Sequence, residues 1–439
     1  MKKSLIFKKG CFMKGLSKEE LSWALYDWGN SAYSMTITST ILPIYFKMVA
    51  ENSGMSSSNS TAVWGYTISI STLLVSLIAP VLGTIADYKG NKKKFFKFFC
   101  SIGIFSTIML ALVPTDMPMI LLLNYGFTVL GFSGANVFYD SFLVDATSTE
   151  RMDKVSSAGF ALGYIGSTIP FIISIVIVIL TQNGILGISI SLACKIAFLI
   201  TALWWGSFTI PLLRNVNQKY YIEKEPNPVK NSFVRIGKTF KDIRSHKKIF
   251  TFLIAYFFYI DGVDTIIGMA TSYGTDLGIS MTSLLVILLL TQFVAFPFTI
   301  IYGRLAEKFG GKKMLYVGIT TYVIISIYAY FLKTTLDFWI LAMAVGSAQG
   351  GIQAISRSYF AKLVPKEKSN EFFGFYNVFG KFAAIMGPFL VGIVTQITGQ
   401  SNKGIISLIV LFAIGGFILT RVKEDYVTAE VTELVSESM

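Results

Sequence analysis

The sequence predicts an all-α membrane protein with twelve transmembrane helices in two pseudo-symmetric six-helix bundles. Three observations carry that expectation: a charge-poor composition, long unbroken apolar runs, and a loop motif repeated at half the chain length. Of 439 residues, 53% are hydrophobic and only 14% charged, whereas a soluble domain carries about 25% charged residues. At about 20 apolar residues per crossing, plus loops, the chain has room for roughly twelve helices. Disorder, a disulfide scaffold and a secreted soluble enzyme are excluded at this level. A β-barrel is also disfavoured, because its strands alternate apolar and polar residues.

In chain order the apolar runs are 22–46, 62–86, 98–115, 117–139, 155–181, 186–212, 249–271, 279–303, 314–332, 337–356, 372–396 and 404–420. The stretch from Val155 to Ala193 holds no charge and is too long for one crossing. The turn formers Gln182, Asn183 and Gly184 divide it into two helices. Lysines precede the first run, but no short apolar region ends in a small-residue cleavage site, so the first span is expected to be retained.

Lysine and arginine placement sets the orientation. Basic residues crowd the segment before the first span, then the loops with Lys89, Lys92, Lys93 and Lys94, with Arg151 and Lys154, with Arg304, Lys308, Lys312 and Lys313, and with Arg357, Lys362, Lys366 and Lys368. The alternate gaps hold only Lys47, Lys333 and Lys403 at their edges. This asymmetry predicts both termini in the cytoplasm and an even number of spans in the plasma membrane. It also accounts for the net charge of +13 without a nucleic-acid partner. The expected partners are the lipid bilayer and a small-molecule substrate, and the expected state is a monomer. Three scattered cysteines and one histidine, His246, offer no disulfide or metal spacing.

The longest polar gap follows six spans. The expected organisation is therefore a first bundle over 1–212, a cytoplasmic linker over 213–248 with a surface helix near 234–243, a second bundle over 249–421, and a cytoplasmic tail over 422–439.

Gly83-Thr-Ile-Ala-Asp87-Tyr-Lys-Gly90-Asn-Lys92-Lys93 recurs half a chain length later as Gly303-Arg-Leu-Ala-Glu307-Lys-Phe-Gly310-Gly-Lys312-Lys313. A weaker register, slightly offset from the first, matches Ser141, Glu150, Arg151 and Gly163 to Ser358, Glu367, Lys368 and Gly380. A duplicated six-helix unit leaves this kind of trace. The glycines permit a tight turn and close helix approach. The acid sits at a helix end, where an ion pair can close between the halves in one state and break in the other. Gly83, Asp87, Lys92, Gly303 and Glu307 are therefore gating candidates. The bland alternative is a solvated turn with ordinary positive-inside lysines.

The two loops resemble the signature of the major facilitator superfamily over all twelve spans. Three further stretches are closer: Trp23-Ala-Leu-Tyr-Asp27-Trp-Gly-Asn30-Ser-Ala-Tyr33; Phe138-Tyr-Asp140 with Gly159-Phe-Ala-Leu-Gly163-Tyr164; and Gln349-Gly-Gly-Ile-Gln353-Ala-Ile-Ser-Arg357-Ser with Glu371-Phe-Phe-Gly-Phe-Tyr-Asn377 and Gly380-Lys381. They resemble the superfamily branch that includes the fungal vacuolar effluxer linked to autophagy. The resemblance implies a permease and, for the vacuolar relatives, efflux of amino acids. Asn91 departs from the common pattern, in which a basic residue is frequent.

Ionisable groups inside the membrane cost about 2.5–3.5 kcal/mol on insertion scales and so point to function. Asp27 and Asn30 lie in the first span, Asp261 and Asp264 in the seventh, Gln349 and Gln353 in the tenth, and Lys381 in the eleventh. The resemblance implies that the first, fourth, seventh and tenth spans line a central cavity. These seven residues are the substrate-binding candidates. Asp140 and Arg357, at equivalent cytoplasmic ends of the fourth and tenth spans, are further gating candidates. Competing structural readings are an interfacial acid for Asp27, a buried pair with Lys381 for Asp261 and Asp264, and helix-tying hydrogen bonds for the glutamines. The tryptophans Trp23, Trp64, Trp204, Trp205 and Trp339 read as an aromatic belt.

The function expected is secondary active transport of a small polar solute by alternating access, an amino acid or similar zwitterion first, with H⁺ or Na⁺ as coupling ion and no other cofactor. Drug or lipid efflux is the alternative. From other classes, a non-transporting sensor or scaffold and an intramembrane enzyme compete. The latter is weakened by Val263 between Gly262 and Asp264. No G-x-x-x-x-G-K-[ST] loop occurs, so no ATP-driven step is expected of this chain.

Overall fold

The structure is a computed structural model and describes residues 15–224, 226, 228–241, 246–276, 278–279 and 281–422. Lys2, Lys3, Lys8, Lys9, Lys14, Cys11, the end of the expected surface helix and the tail from residue 423 lie outside the described residues.

The described chain is helical throughout, with one isolated parallel bridge between Tyr88 and Ile222. The helices are α1 (Lys18–Tyr33), α2 (Ile41–Asn52), α3 (Ser57–Ala86), α4 (Lys92–Leu110), α5 (Pro118–Ser141), α6 (Leu143–Ala146), α7 (Met152–Gln182) and α8 (Ile190–Asn215) in the first half. The amphipathic helix α9 (Pro228–Lys241) follows. The second half holds α10 (Lys247–Asp276), α11 (Met281–Phe309), α12 (Gly311–Tyr330), α13 (Thr335–Leu363), α14 (Ser369–Thr398), α15 (Ser401–Ser407) and α16 (Ile409–Thr420).

Among the described residues, ten helical segments are long and apolar enough to cross a membrane by length and composition. The other two expected spans are helical as well. The third expected span is α4, which opens with Lys92, Lys93, Lys94 and Lys97. The first expected span begins at a capping box, in which Ser17 Oγ accepts the Glu20 N–H and Glu20 accepts the Ser17 N–H. It then breaks into α1 and α2 around a π-helical turn, Ser34–Thr38. Five of the seven residues from Ser34 to Thr40 are Ser or Thr, and Thr40 Oγ1 donates to the Met35 carbonyl at 2.8 Å. Hydroxyls competing for backbone groups locally displace the regular helix.

Several helices run past the apolar edges read from the sequence. α13 continues to Leu363 and α7 starts at Met152 because their ends bury against one another rather than entering water. Within the first half α1 packs on α7 and α8, and α4 on α5; within the second, α11 packs on α13, and α10 on α14 and α16. The halves meet where α3 and α5 lie on α14, and where α7 lies on α11 and α13. Outward-facing apolar side chains such as Leu203 and Phe389, 66% and 67% exposed, suit a hydrocarbon solvent. Trp23 and Trp205 do not belong to an aromatic belt. Both are fully buried, and Trp23 Nε1–H donates to the Tyr139 carbonyl at 2.9 Å.

Candidate functional site

The contact between the halves carries three tiers of polar side chains. They run from the end bearing the lysine-rich loops, here called the basic end, toward the middle of the bundle.

The outermost tier is a pair of latches. In both copies of the repeated loop the second glycine, Gly90 or Gly310, takes positive φ, a backbone state in which a Cβ is strained. The first glycine permits contact with the other half. A Cβ on Gly83 would run into the Asn370 carbonyl, and one on Gly303 would sit 2.6 Å from Ser157. Asp87 then caps the start of α14. It accepts the Asn370 N–H at 2.9 Å, the Asn370 amide at 2.9 Å and the Glu371 N–H at 3.3 Å. Arg235 of α9 donates to Asp87 at 2.9 Å and to Glu371 at 3.1 Å, and Thr239 donates to Glu371 at 2.5 Å. Lys92 is fully buried. It pairs with Asp145 at 2.6 Å and reaches Ser369 of the second half at 3.0 Å.

The opposite latch uses different groups. Glu307 is exposed, with no ion pair to it among the described residues, so it does not latch as the repeat suggested. The reason lies in its facing helix. Asp153, at the start of α7, occupies the place that Asn370 holds in the second half, and two carboxylates brought together would repel. Asp153 takes the acid's role instead. It accepts from Ser358 at 2.6 Å and from Lys362 at 2.5 Å. Its counterpart bond runs from Ser141 to Asn370 at 2.5 Å. Asp153, Asn370, Arg235 and Lys362 were missed as candidates. The weaker of the two repeat registers, which aligns Asp153 with Asn370, held a signal for that pair; Arg235 and Lys362 read only as basic loop residues.

The second tier centres on Arg357, 3% exposed. Its guanidinium donates to Asp140 and Asp27, each at 3.1 Å, and to Ser156 Oγ at 3.0 Å. It lies over the rings of Phe160 and Trp23, 4.2 and 4.6 Å from their centroids. Gly159 leaves the space for this arrangement, since a Cβ there would stand 2.6 Å from Asp27 Oδ2. Asp27 was expected among the ligand groups and Asp140 and Arg357 among the gates. The three form one cluster, in which Asp27 is paired with Arg357.

The third tier is half-buried. Asp264 lies within electrostatic reach of Lys381 and near Gln353. Tyr164 of α7 donates to Gln353 of α13 at 3.0 Å, so the tier spans both halves. The remaining candidates lie elsewhere. Asn30 donates to Asn136 at 2.8 Å and ties α1 to α5 within the first half. Asp261 is fully buried and turned to α14, where it accepts the Gly387 N–H at 2.8 Å. It shares a helix with Asp264 but not its surroundings. Gln349 lines a cavity inside the second half.

Two bundles joined through a polar seam, with opposite charges half-exposed at its inner end, define a secondary transporter of the major facilitator fold, a multi-pass integral membrane protein. Residues 16–431 match the model of a family described as vacuole effluxer Atg22 like, and the chain belongs to that family. It is 60% identical over 413 residues to the uncharacterized MFS-type transporter YxiO of Bacillus subtilis (strain 168), covering 94% of this chain and 96% of that one. It is 24% identical over 480 residues to autophagy-related protein 22 of Vanderwaltozyma polyspora, covering 92% and 90%. Among solved structures, the proton:xylose symporter XylE superposes with a TM-score of 0.70 at 11% identity, over 93% of this chain and 96% of that one.

Proposed function

We propose that the protein carries a small zwitterion of the amino-acid type across the cytoplasmic membrane by alternating access. The observation that supports this reading is the third tier. A carboxylate, Asp264, and an ammonium, Lys381, lie within electrostatic reach of each other, both partly buried. A ligand bearing both charges can insert between them and give each a new partner, so that neither is left unpaired in a low-dielectric site. The positive-inside rule places the basic end in the cytoplasm. The first two tiers seal that end, since Lys92, Asn370 and Glu371 are all fully buried. Access to the third tier from the cytoplasm is therefore closed in this conformation. Asp261 is the candidate for ion coupling. One of its oxygens has a backbone donor and the other has no hydrogen-bond partner, a situation that a proton or Na⁺ relieves.

The test is uptake and counterflow of radiolabelled amino acids in proteoliposomes, with and without pH and Na⁺ gradients. Asp264→Asn and Lys381→Gln are each expected to lower solute flux at least about thirtyfold, the equivalent of 2 kcal/mol for one lost partner of a desolvated pair, with the melting temperature retained. Flux of neutral hydrophobic drugs but not zwitterions, unaffected by either substitution, would overturn the reading.

A further inference from the structure

Inside the second half, among α10, α11, α12, α13 and α15, lies a cavity of about 70 Å³, none of whose described wall comes from the first half. On this measure one water occupies about 10–15 Å³, so the space admits a molecule of several heavy atoms. Its wall is apolar and carries no charged side chain among the described residues. Four polar side chains reach it: Tyr273, Thr291, Gln292 and Gln349. Two of these are already committed as donors. Tyr273 Oη donates to the Ala329 carbonyl at 2.6 Å and Thr291 Oγ1 to the Ile287 carbonyl at 2.8 Å. The amides of Gln292 and Gln349 have no hydrogen-bond partner among the described residues, although Gln349 is only 4% exposed. An unpaired buried amide costs about 1–3 kcal/mol. Gln349 is buried and Gln292 partly buried, and packing alone does not account for the two amides on one apolar wall.

We infer that this cavity is a second ligand site, for a neutral amphiphile with a slender apolar body and one hydroxyl, carbonyl or amide group, held by the Gln292 and Gln349 amides. The class follows from the wall. A charged ligand would be stranded without a counter-charge, and a pure hydrocarbon would leave both amides unpaired. The site is distinct from the charged third tier and does not rest on the transport reading. The two share one element, since Gln349 lies one helical turn from Gln353 on α13. Occupancy of the cavity is thereby placed to bias the wall that holds Gln353 to Tyr164.

The test uses the full-length protein in lipid nanodiscs and two photoreactive probes, a diazirine-bearing octanol and a diazirine-bearing octane, with adducts mapped by mass spectrometry. Octanol is expected to modify cavity-lining residues such as Met269, Leu288 and Leu341, more strongly than octane does. Gln349→Leu with Gln292→Leu should lower octanol labelling there roughly fivefold, the scale of one or two net hydrogen bonds, while lipid-facing adducts at Leu123 and Phe127 stay unchanged. Leu341→Trp, which fills the space, should remove both cavity signals. Labelling confined to lipid-facing residues, cavity labelling that survives Leu341→Trp, or octanol labelling no better than octane and insensitive to the glutamine substitutions would each overturn the inference.

Discussion

The carboxyl group of Asp87 joins three structural units at one point: the end of α3, the start of α14, and Arg235 of α9. Burial pushes its pKa up from 3.8 to about 7, while Arg235, the Asn370 amide and Lys92 pull it down and Glu371 adds to the rise. The sign of the consequence is fixed by linkage. The closed latch binds a proton more tightly than an open state in which Asp87 is hydrated. Closure is therefore favoured by acid and loses ground as pH rises from about 4 through 7. Spin labels at the exposed positions Lys94→Cys and Lys313→Cys, one in each half, should report more opening of the basic end at pH 8 than at pH 5. Asp87→Asn, which keeps the acceptor but cannot ionise, should flatten that dependence. An unchanged pH response in the asparagine variant would show that another group titrates. The same scale separates the two acids of α10. Helical spacing put Asp261 and Asp264 on one face, but the structure gives Asp261 a backbone donor from Gly387 and sets Asp264 within electrostatic reach of Lys381. Spacing fixes an angle on the helix; which neighbour fills that angle depends on how α14 is rotated.

Among the elements, α9 has the most direct hold on the seam. It begins with Pro228, whose fixed φ suits a helix start, leaves Phe233 exposed, and turns Arg235 and Thr239 to the join between the halves. The chain leading to it is laced down as well. Lys219 and Tyr220 donate backbone N–H groups to Asp145 at 2.7 and 3.1 Å, and Ile222 exchanges backbone bonds with Asp87 and Lys89. The linker between the bundles is thus part of the latch. Arg235→Ala leaves the fully buried Asp87 and Glu371 without the cation that bridges them. It should destabilise the closed arrangement by about 3–5 kcal/mol, seen as a shift of the label-distance distribution to longer values at neutral pH. A distribution matching that of the parent would remove α9 from the gate. Much at this scale was legible in sequence. The apolar runs located the spans, and a surface helix was expected in the linker. What escaped was the break in the first span, because apolar averaging passes over a Ser/Thr-rich stretch such as 34–40. The overrun of α7 and α13 also escaped, because helix ends buried against protein keep polar residues that a hydropathy reading assigns to loops.

At the scale of the whole molecule, the duplication visible in the loops governs the seam. Asp140 and Arg357 occupy matched positions in the two halves and bond to each other at 3.1 Å, so the pair lies where the two halves exchange equivalent places. The bonds from Ser141 to Asn370 and from Ser358 to Asp153 repeat this relation on either side. The symmetry is broken by charge. Asp27 also pairs with Arg357, so the first half supplies the acids and the second the base. Exchanging the pair by Asp140→Arg with Arg357→Asp keeps the matched geometry but sets an acid at position 357 beside Asp27. Each single substitution should abolish flux and lower thermal stability by about 3–5 kcal/mol, the cost of an uncompensated buried charge. The exchange should recover part of that loss, and adding Asp27→Asn should recover more, because the new like-charge contact is removed. The differences among the single, double and triple variants measure the coupling directly. A double variant no better than the sum of its singles would mean that Arg357 acts through Ser156 and the aromatic rings alone, and that the seam is held by packing rather than by charge.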